Sequence, residues 1–349
     1  MLFIRTENAV RGRSAQVCWR HGTTSITLSI VSKQVLESRP VKNPSNMATQ
    51  RRHGRRIDGV LLLDKPSGIG SNAALQRSRR LMEAERGGHT GTLDPMASGL
   101  LVLCFGEATK FSGELLDAGK RYIARLRLGE RTSTGDAEGD VLERRLVSVT
   151  RDQLERSLER FRGEITQVPP MFSALKREGR PLYEYARKGI SLERSARKVM
   201  ISALQLEDLA GNEATLSVCC SKGTYVRTLA EDIGEALGSG AHLIGLVRTA
   251  VGAFRLEQAC RIEDIEALSV SERGGLLLAV DVLVQNLPPV HLPEHLEGAF
   301  LNGRSVGPVQ GPVGRVRAYG AAGRFLGLAL VDGSAGAHPK RLLTVPRSP

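Results

Sequence analysis

Apolar and polar residues alternate over residues 120–128 (KRYIARLRL), where the even-numbered positions from Tyr122 onward are apolar and arginines occupy positions between them. This period of two predicts a strand with one face toward a core. The run LLVLCF at 100–105 is apolar at every position and predicts a strand covered on both faces. Further strands are predicted at 57–63 and, as a hairpin, within 197–220.

Helical signals lie between these strands. Residues 72–85 form a segment with inward leucines and several arginines. The segment 150–161 opens with Thr150 and has Gln153 three residues later, which is the pattern of a capping box. Another helix is predicted to begin within the sequence GTYVRTL and to run to about residue 237.

The pattern changes after a proline pair at 288–289. Short β-rich pieces separated by glycines follow at 314–320, 323–333 and 341–345. Several short strands in about sixty residues predict a small barrel or sandwich. We therefore expect a second domain at 288–349, and its seven Lys/Arg against three Asp/Glu suit contact with RNA.

The net charge of +12 over 349 residues indicates a nucleic-acid partner. Residues 1–56 carry eleven Lys/Arg and two Asp/Glu, so the remaining chain, with 38 against 35, is nearly neutral. An RNA-binding surface on the body must then come from local clusters of cations. The length is sufficient for two or three domains.

Residues 1–50 have no sustained period, and they are rich in Arg and Ser and poor in acids. Such a composition is typical of a disordered arm or a transit peptide. A third interpretation is a start codon assigned too early, with Met47 as the true start. We favour Met47, because the sequence that follows it carries the first motif described below.

The five cysteines are scattered and form neither a CxxC pair nor a Cys/His cluster. We therefore expect no disulfide framework and no metal site, which fits a reducing, cytoplasmic setting. The sequence contains no apolar run near the roughly 18 residues that cross a membrane, so we expect no membrane partner.

The stretch with the clearest chemistry is 87–101, GGHTGTLDPMASGLL. Its two opening glycines permit a sharp turn, and Pro95 pushes Asp94 out of the helical region. A carboxylate is thus held on a stiff loop directly before a buried strand. An Asp-Pro pair alone is usually only a turn.

This string resembles the catalytic motif of the TruB family of tRNA pseudouridine synthases, in which the aspartate is essential. The resemblance extends over residues 50–349 through further motifs in the same order. They are the DKPxGxTS motif at 64–71 with Gly70 in place of Thr, KxY at 120–122, GTYIRTL at 223–229 with Val for Ile, and LxRTxxGxF at 246–254.

The resemblance implies a role for each matched residue. Asp94 would be the catalytic carboxylate, Arg227 its partner, and Tyr122 the ring that stacks on the target base. With Arg227 beside it, the pKa of Asp94 is expected to fall. The residues implied to bind substrate are His89, Tyr122, Tyr225, Leu246, Lys65 and Lys120. Taken alone, Tyr122 and Leu246 would be core residues, and Lys65 would be a turn residue.

Residues 167–189, which we call the thumb segment, interleave aromatic and cationic side chains after Pro169-Pro170. That mixture suits stacking and phosphate contacts on a folded RNA loop. The alternative is a structural loop with a short helix. The segment resembles the family's thumb loop, and the residues expected to bind RNA are Phe172, Lys176, Arg177, Arg180, Tyr183, Arg187 and Lys188.

The family implies an α/β (α+β) fold. This is the pseudouridine synthase fold, with a mixed, largely antiparallel central sheet at 51–287 and a small β-rich, PUA-like domain at 288–349. The implied activity is that of a tRNA pseudouridine-55 synthase, an isomerase that flips uridine 55 out of the T-loop. We expect no cofactor, a tRNA partner bound through its T-loop and T-stem, no obligatory protein partner, and a monomer.

Two alternatives stay open. An RNA-guided synthase acting on ribosomal RNA shares the aspartate motif but lacks the thumb insertion. A non-catalytic protein that binds or folds RNA would not need Asp94, Tyr122 and Arg227 together. The sequence also leaves open whether Asp94 attacks the sugar, attacks the base or removes a ribose proton.

Overall fold

The computed structural model describes residues 19–21, 24–26 and 54–344. Residues 19–21 and 24–26 belong to one unit of the chain and form two antiparallel strands, while residues 54–344 lie in a second unit. The expectations for 1–50 and for Met47 otherwise lie outside the described residues. Among the described residues, no helix is long and apolar enough to span a bilayer.

The strands and helices are numbered in chain order. The strands are β1 (Trp19–His21), β2 (Thr24–Ile26), β3 (Gly59–Lys65), β4 (Gly87–His89), β5 (Ser98–Phe105), β6 (Lys120–Leu128), β7 (Glu130–Thr132), β8 (Val141–Arg144), β9 (Gly163–Gln167), β10 (Lys176–Arg177), β11 (Arg180–Pro181), β12 (Arg197–Ala210), β13 (Glu213–Cys220), β14 (Ala241–Val251), β15 (Phe254–Arg255), β16 (Pro289–His291), β17 (Gly314–Tyr319), β18 (Phe325–Val331) and β19 (Ala337–Leu342). The α-helices are α1 (Ser71–Leu81), α2 (Arg151–Glu159), α3 (Leu182–Ala186), α4 (Val226–Ala236), α5 (Ile262–Ala267), α6 (Val270–Arg273) and α7 (Glu294–Leu301).

A nine-stranded sheet forms the centre of the second unit, with the order β3-β5-β14-β6-β13-β12-β9; β4 pairs with β5, and β15 pairs with β14. Only the β5–β14 pairing is parallel. The sheet is therefore mixed and largely antiparallel, and the expected α+β fold class is confirmed.

The burial of each strand follows its sequence pattern. Strand β6 occupies the predicted residues, with its even-numbered side chains turned inward and its arginines exposed. Strand β5 is covered on both faces. Leu100 and Val102 pack with Phe111, whereas Leu101 and Leu103 pack toward α1 and α5.

Two helices show how end signals decide element bounds. Helix α2 begins after Thr150, and the predicted capping box with Gln153 is present. Helix α1 ends at Leu81, four residues before the prediction. Glu83 takes the left-handed conformation (φ 53°), and Ala84 N donates to Arg79 O at 3.0 Å, so the helix closes in a Schellman-type turn without glycine.

The C-terminal residues form a separate four-stranded sheet, β16-β17-β18-β19, with its own apolar cluster around Val316 and Phe300. This sheet shares an apolar cluster with the central one, in which Phe325 and Leu328 pack with Leu100 and Val102 of β5. Phe111, on the helical segment 106–115 between them, places its ring 5.4 Å from that of Phe325. Strand β19, predicted at 341–345, begins earlier, at Ala337. The domain boundary at 287–289 stays a prediction.

Candidate active site

Asp94 lies on the loop between β4 and β5, and the turn after it is closed by Ala97 N donating to Asp94 O at 3.1 Å. The loop enters β5 at Gly99, whose φ is +97°. A Cβ atom there would lie 2.4 Å from Arg248 O, so only glycine permits this approach to β14. The loop is therefore fixed against the sheet at its exit.

The segment 64–71 braces the same loop. The Lys65 amine donates to Ile69 O at 2.7 Å and to Pro66 O at 2.8 Å, with Pro95 O at 3.4 Å, and Gly68 N donates to Pro95 O at 2.8 Å. These bonds join the turn after β3 to the residue that follows Asp94.

Ser71 adds a second brace, because its hydroxyl accepts from Leu93 N at 2.7 Å and donates to Leu93 O at 3.0 Å. Ser67 Oγ donates to Met96 O at 2.9 Å. These three hydrogen bonds are present although Gly70 replaces the motif's threonine. The motif thus positions Asp94 from behind.

Contact with substrate stays a prediction for Lys65. This residue is completely buried and does not line the cavity described below. Burial, with the nearby Arg248 charge, lowers the pKa of Lys65 to about 8, although Asp94 acts in the opposite direction. Its contacts assign it to positioning the loop.

Arg227, in the first turn of α4, forms a two-point ion pair with Asp94. Its Nε lies 3.0 Å from Oδ2 and its Nη2 lies 3.3 Å from Oδ1. The arginine side chain is only 4% exposed, whereas that of Asp94 is 36% exposed toward the cavity. A paired fork of this kind fixes the orientation of a carboxylate as well as its charge.

The same guanidinium holds two further loops. It donates to Thr134 O at 3.1 Å and to Phe172 O at 2.6 Å, and its Nε lies 3.6 Å from Asp136 Oδ2. Asp136, which is buried in the polar stretch 132–139, was not singled out in the sequence. The only signal was an acid within a run of turn residues, which also describes many exposed loops.

The pKa of Asp94 departs from the sequence expectation. Burial raises it, Arg227 lowers it, and the charge of Asp136 raises it again, so the net shift is upward. Arg227 does act as expected, but it is outweighed. The carboxylate faces a cavity walled by protein, which removes much of its hydration, and it shares one arginine with a second carboxylate.

Asp94 and Arg227 open into a cavity of about 530 Å³. Tyr122 and Leu246, from the neighbouring strands β6 and β14, also line it. Its volume lies in the range typical of sites that enclose a small ligand. The tertiary structure thus brings together four residues drawn from positions 94 to 246 of the sequence.

Tyr225 and Lys120 line the same cavity. The Lys120 amine donates to Leu116 O at 2.8 Å, and burial lowers its pKa. Burial raises the pKa of Tyr122, so its phenol stays protonated at neutral pH. The wall therefore offers a neutral aromatic ring beside a partly buried amine.

His89 lies at the end of β4 and is not part of the cavity wall. Its Nδ1 is buried without a hydrogen-bond partner. Burial, and then the Arg248 charge, lowers the pKa of His89, which keeps the imidazole neutral at pH 7. The expected contact between His89 and substrate stays a prediction.

Arg248 is a wall residue that sequence reasoning did not single out. It is 2% exposed, and it donates to Leu100 O at 2.7 Å and to Gly91 O at 3.2 Å. It lines the cavity and joins β14 to the loop before Asp94. The available signal was the arginine that the motif LxRTxxGxF contains at this position.

The thumb segment contains the short hairpin β10–β11 followed by α3, which is the short helix that the structural alternative expected. Leu182 is buried beneath it, and the Arg187 guanidinium lies 5.4 Å from the centre of the Tyr183 ring. None of the seven expected RNA-binding residues lines the cavity, although Phe172 reaches Arg227 through its carbonyl oxygen. The cations of the segment are exposed.

Three family models match consecutive parts of the chain. They describe the TruB family pseudouridylate synthase (N terminal domain) at 79–226, the tRNA pseudouridylate synthase B C-terminal domain at 227–287, and pseudouridine synthase II TruB, C-terminal, at 288–343. Together they cover most of the described residues.

Curated relatives match over nearly their full length. A protein named tRNA pseudouridine synthase B from Cupriavidus metallidurans is 54% identical over 299 residues, covering 83% of this chain and 95% of the relative. A protein of the same name from Burkholderia mallei is 56% identical over 282 residues, covering 79% and 93%.

Solved structures support the fold. The chain matches one in a Cbf5-Nop10-Gar1 complex with a TM-score of 0.60 and 26% identity, covering 78% of each chain. It matches another, in an H/ACA RNP bound to a substrate RNA containing 2'-deoxyuridine, with a TM-score of 0.62 and 23% identity, covering 83% of this chain and 86% of the other.

Proposed function

Because the chain belongs to the TruB family and is a pseudouridine synthase, an isomerase, we propose that it converts uridine 55 in the T-loop of tRNA to pseudouridine. The observation that carries this proposal is the Asp94–Arg227 pair at the cavity, in a chain more than half identical to proteins named tRNA pseudouridine synthase B.

The reaction is an isomerisation, so no atom of the protein is part of the product. The C1′–N1 bond breaks, the uracil turns, and a C1′–C5 bond forms. The proton lost from C5 balances the one gained at N1, so the substrate has no net gain or loss of protons or electrons. Asp94 supplies a carboxylate that acts as nucleophile or as base, and Arg227 holds it in one orientation.

The base must leave its stack before either role is possible. The Tyr122 ring offers a stacking surface and Leu246 an apolar wall, both within the same cavity as Asp94. Lys120 and Arg248 supply positive charge at the wall. A pyrimidine ring with polar edges suits this combination of one ring, one apolar contact and several donors.

The exposed cations and aromatics of the thumb segment fit the phosphates and bases around a T-loop. The long folded arm of a tRNA would also extend past the cavity, so we expect contacts with the T-stem. We further propose that the enzyme acts in the cytoplasm as a monomer and without an obligatory protein partner.

The deciding experiment incubates the purified protein with an unmodified tRNA transcript and then maps pseudouridine. We expect product at position 55 with the wild type and none with Asp94→Asn, which keeps the shape and removes the charge. Binding of tRNA should persist in this variant, because the cations remain. Asp208→Asn, at an exposed site on β12, is the matched control and should retain turnover.

Each failure has a distinct meaning. Turnover by Asp94→Asn would remove Asp94 from the chemistry. Binding without product by the wild type would favour a protein that only binds or folds RNA. Product that appears only after a guide RNA is added would favour the RNA-guided class.

A further inference from the structure

The start of the thumb segment, residues 167–172, is called the thumb root here, and Gln167 ties it to the start of α4. This residue ends β9 and is 2% exposed. Its amide oxygen accepts from Tyr225 N at 3.1 Å, and its amide nitrogen donates to Tyr225 O at 3.3 Å. Because a backbone N–H can only donate and a carbonyl can only accept, both partners fix the orientation of this amide.

Tyr225 is the residue that opens α4, and the helix has no side-chain cap of its own there. The Gln167 amide therefore serves the backbone at the start of the helix that carries Arg227. Loss of that amide would leave a partly buried N–H unpaired, which favours a shift of this end of the helix.

A second tie lies five residues further along the chain, where Phe172 O accepts from Arg227 Nη2 at 2.6 Å. Pro169 and Pro170 lie between the two ties and restrict the backbone of the connection. The thumb root thus meets α4 at two points, and the second point is the guanidinium that holds Asp94.

The rest of the thumb segment exposes its cations and makes few buried contacts beyond Leu182. A force on this segment from bound RNA would therefore act at its root. The root meets α4 there, and Arg227 lies two residues after Tyr225, the residue that Gln167 holds.

We propose that Gln167 is a positioning residue: it couples the placement of the thumb root to the alignment of Arg227 on Asp94. The proposal rests on the proposed function of the same cavity. RNA that orders the thumb segment thereby helps to align Arg227 with Asp94. If the thumb root is loose, Arg227 Nη2 loses its bond to Phe172 O and keeps only its longer bond to Asp94 Oδ1, at 3.3 Å.

The test compares Gln167→Met, which keeps the size and removes both polar atoms, with Gln167→Glu, which keeps the acceptor for Tyr225 N. The matched control is Gln205→Met, an exposed glutamine on the adjacent strand β12. Single-turnover rate constants at saturating tRNA, tRNA affinity and thermal midpoints are measured for each protein.

We expect Gln167→Met to lower the rate constant at saturation by about tenfold or more, since two partly buried hydrogen bonds are lost. Affinity should change by less than about threefold, as the thumb cations remain. Gln167→Glu should lie between Gln167→Met and the wild type. The acid limb of the rate should also move to higher pH, because a displaced Arg227 lowers the pKa of Asp94 less.

Three results would overturn the proposal. They are a normal rate constant in Gln167→Met, a loss confined to affinity, or a lower rate with no movement of the acid limb. If Gln167→Met does not fold, Gln167→Glu decides by the same three criteria. Absence of product with the wild type would instead overturn the proposed function and leave the contacts of Gln167 unexplained.

Discussion

Two opposing effects act on the charge of Asp94. Incomplete hydration and the nearby Asp136 favour its protonated form, whereas Arg227 favours the carboxylate, and the pKa is raised on balance. The proposed reaction needs the carboxylate. The enzyme therefore holds its reactive group in a setting that partly opposes the required charge, which is a common feature of catalytic sites.

As acid is added, the rate of the chemical step should accordingly begin to fall at a higher pH than it would for an aspartate with an ordinary pKa. A raised pKa means that protonation begins earlier as acid is added, and the protonated form lacks the charge that acts. Single-turnover rates across the acid range measure this limb directly.

Arg227→Gln supplies the comparison for this limb. Loss of the guanidinium removes the main influence that lowers the pKa of Asp94, so the limb should move further toward neutral pH. A limb at the ordinary aspartate value in the wild type, or one unmoved in Arg227→Gln, would contradict this account of the ion pair.

At the scale of elements, the thumb segment combines a fixed root with an exposed remainder. Its hairpin and helix α3 are short, and its cations are exposed, although Arg177 Nη1 also donates to Glu193 O at 2.9 Å. Backbone turns and one buried leucine hold its shape, which leaves the charged side chains available to phosphate.

Replacing Lys176, Arg177 and Arg180 by Ala should flatten the dependence of log affinity on log salt. Each phosphate contact that is lost should reduce the slope by about 0.7 to 0.9, because fewer counterions are released on binding. Equilibrium titrations with tRNA at several salt concentrations measure the slope.

The matched control removes three exposed arginines from α2 and the residue that follows it, namely Arg151, Arg156 and Arg160. The two triple variants lose the same net charge, so a difference between them reports position rather than total charge. Equal slopes in the two variants would assign the thumb cations a structural role.

At the scale of the whole molecule, the central and C-terminal sheets share part of their cores. Phe111 is fully buried and packs with Phe325 of β18. Tyr319 donates to Asp281 at 2.7 Å, and the Lys110 amine donates to Thr344 at 2.7 Å. Apolar and polar contacts together thus fix the C-terminal sheet on the body.

Phe111→Ala should therefore lower the free energy of unfolding by about 3–5 kcal/mol, the usual cost of removing a buried phenylalanine ring. Because the ring lies in an apolar cluster to which both sheets contribute side chains, we expect residues 54–344 to unfold in one cooperative step. Scanning calorimetry and denaturant titration measure both quantities.

Phe300→Ala is the comparison, since this equally buried ring belongs to the C-terminal cluster alone. If the sheets unfold together, both variants shift the same transition. Two separate transitions, with only one of them moved by Phe300→Ala, would show that the shared core does not couple the sheets.

The sequence by itself determined the elements whose signals are local. The alternation at 120–128 predicted β6 residue for residue, and Thr150 with Gln153 predicted the start of α2, because side-chain period and capping depend on near neighbours. The end of α1 was placed wrongly, since a glutamate takes the left-handed position there that glycine usually marks.

The tertiary structure decided what surrounds each chemical group. Motifs identified Asp94 and Arg227, but the net direction of the aspartate's pKa depended on burial and on Asp136, which lies near only through folding. Arg248 and Gln167 likewise acquired their roles from partners far along the chain. Hydration, charge and hydrogen bonding at the cavity depend on many residues that are distant in sequence. The local sequence pattern does not contain their contributions.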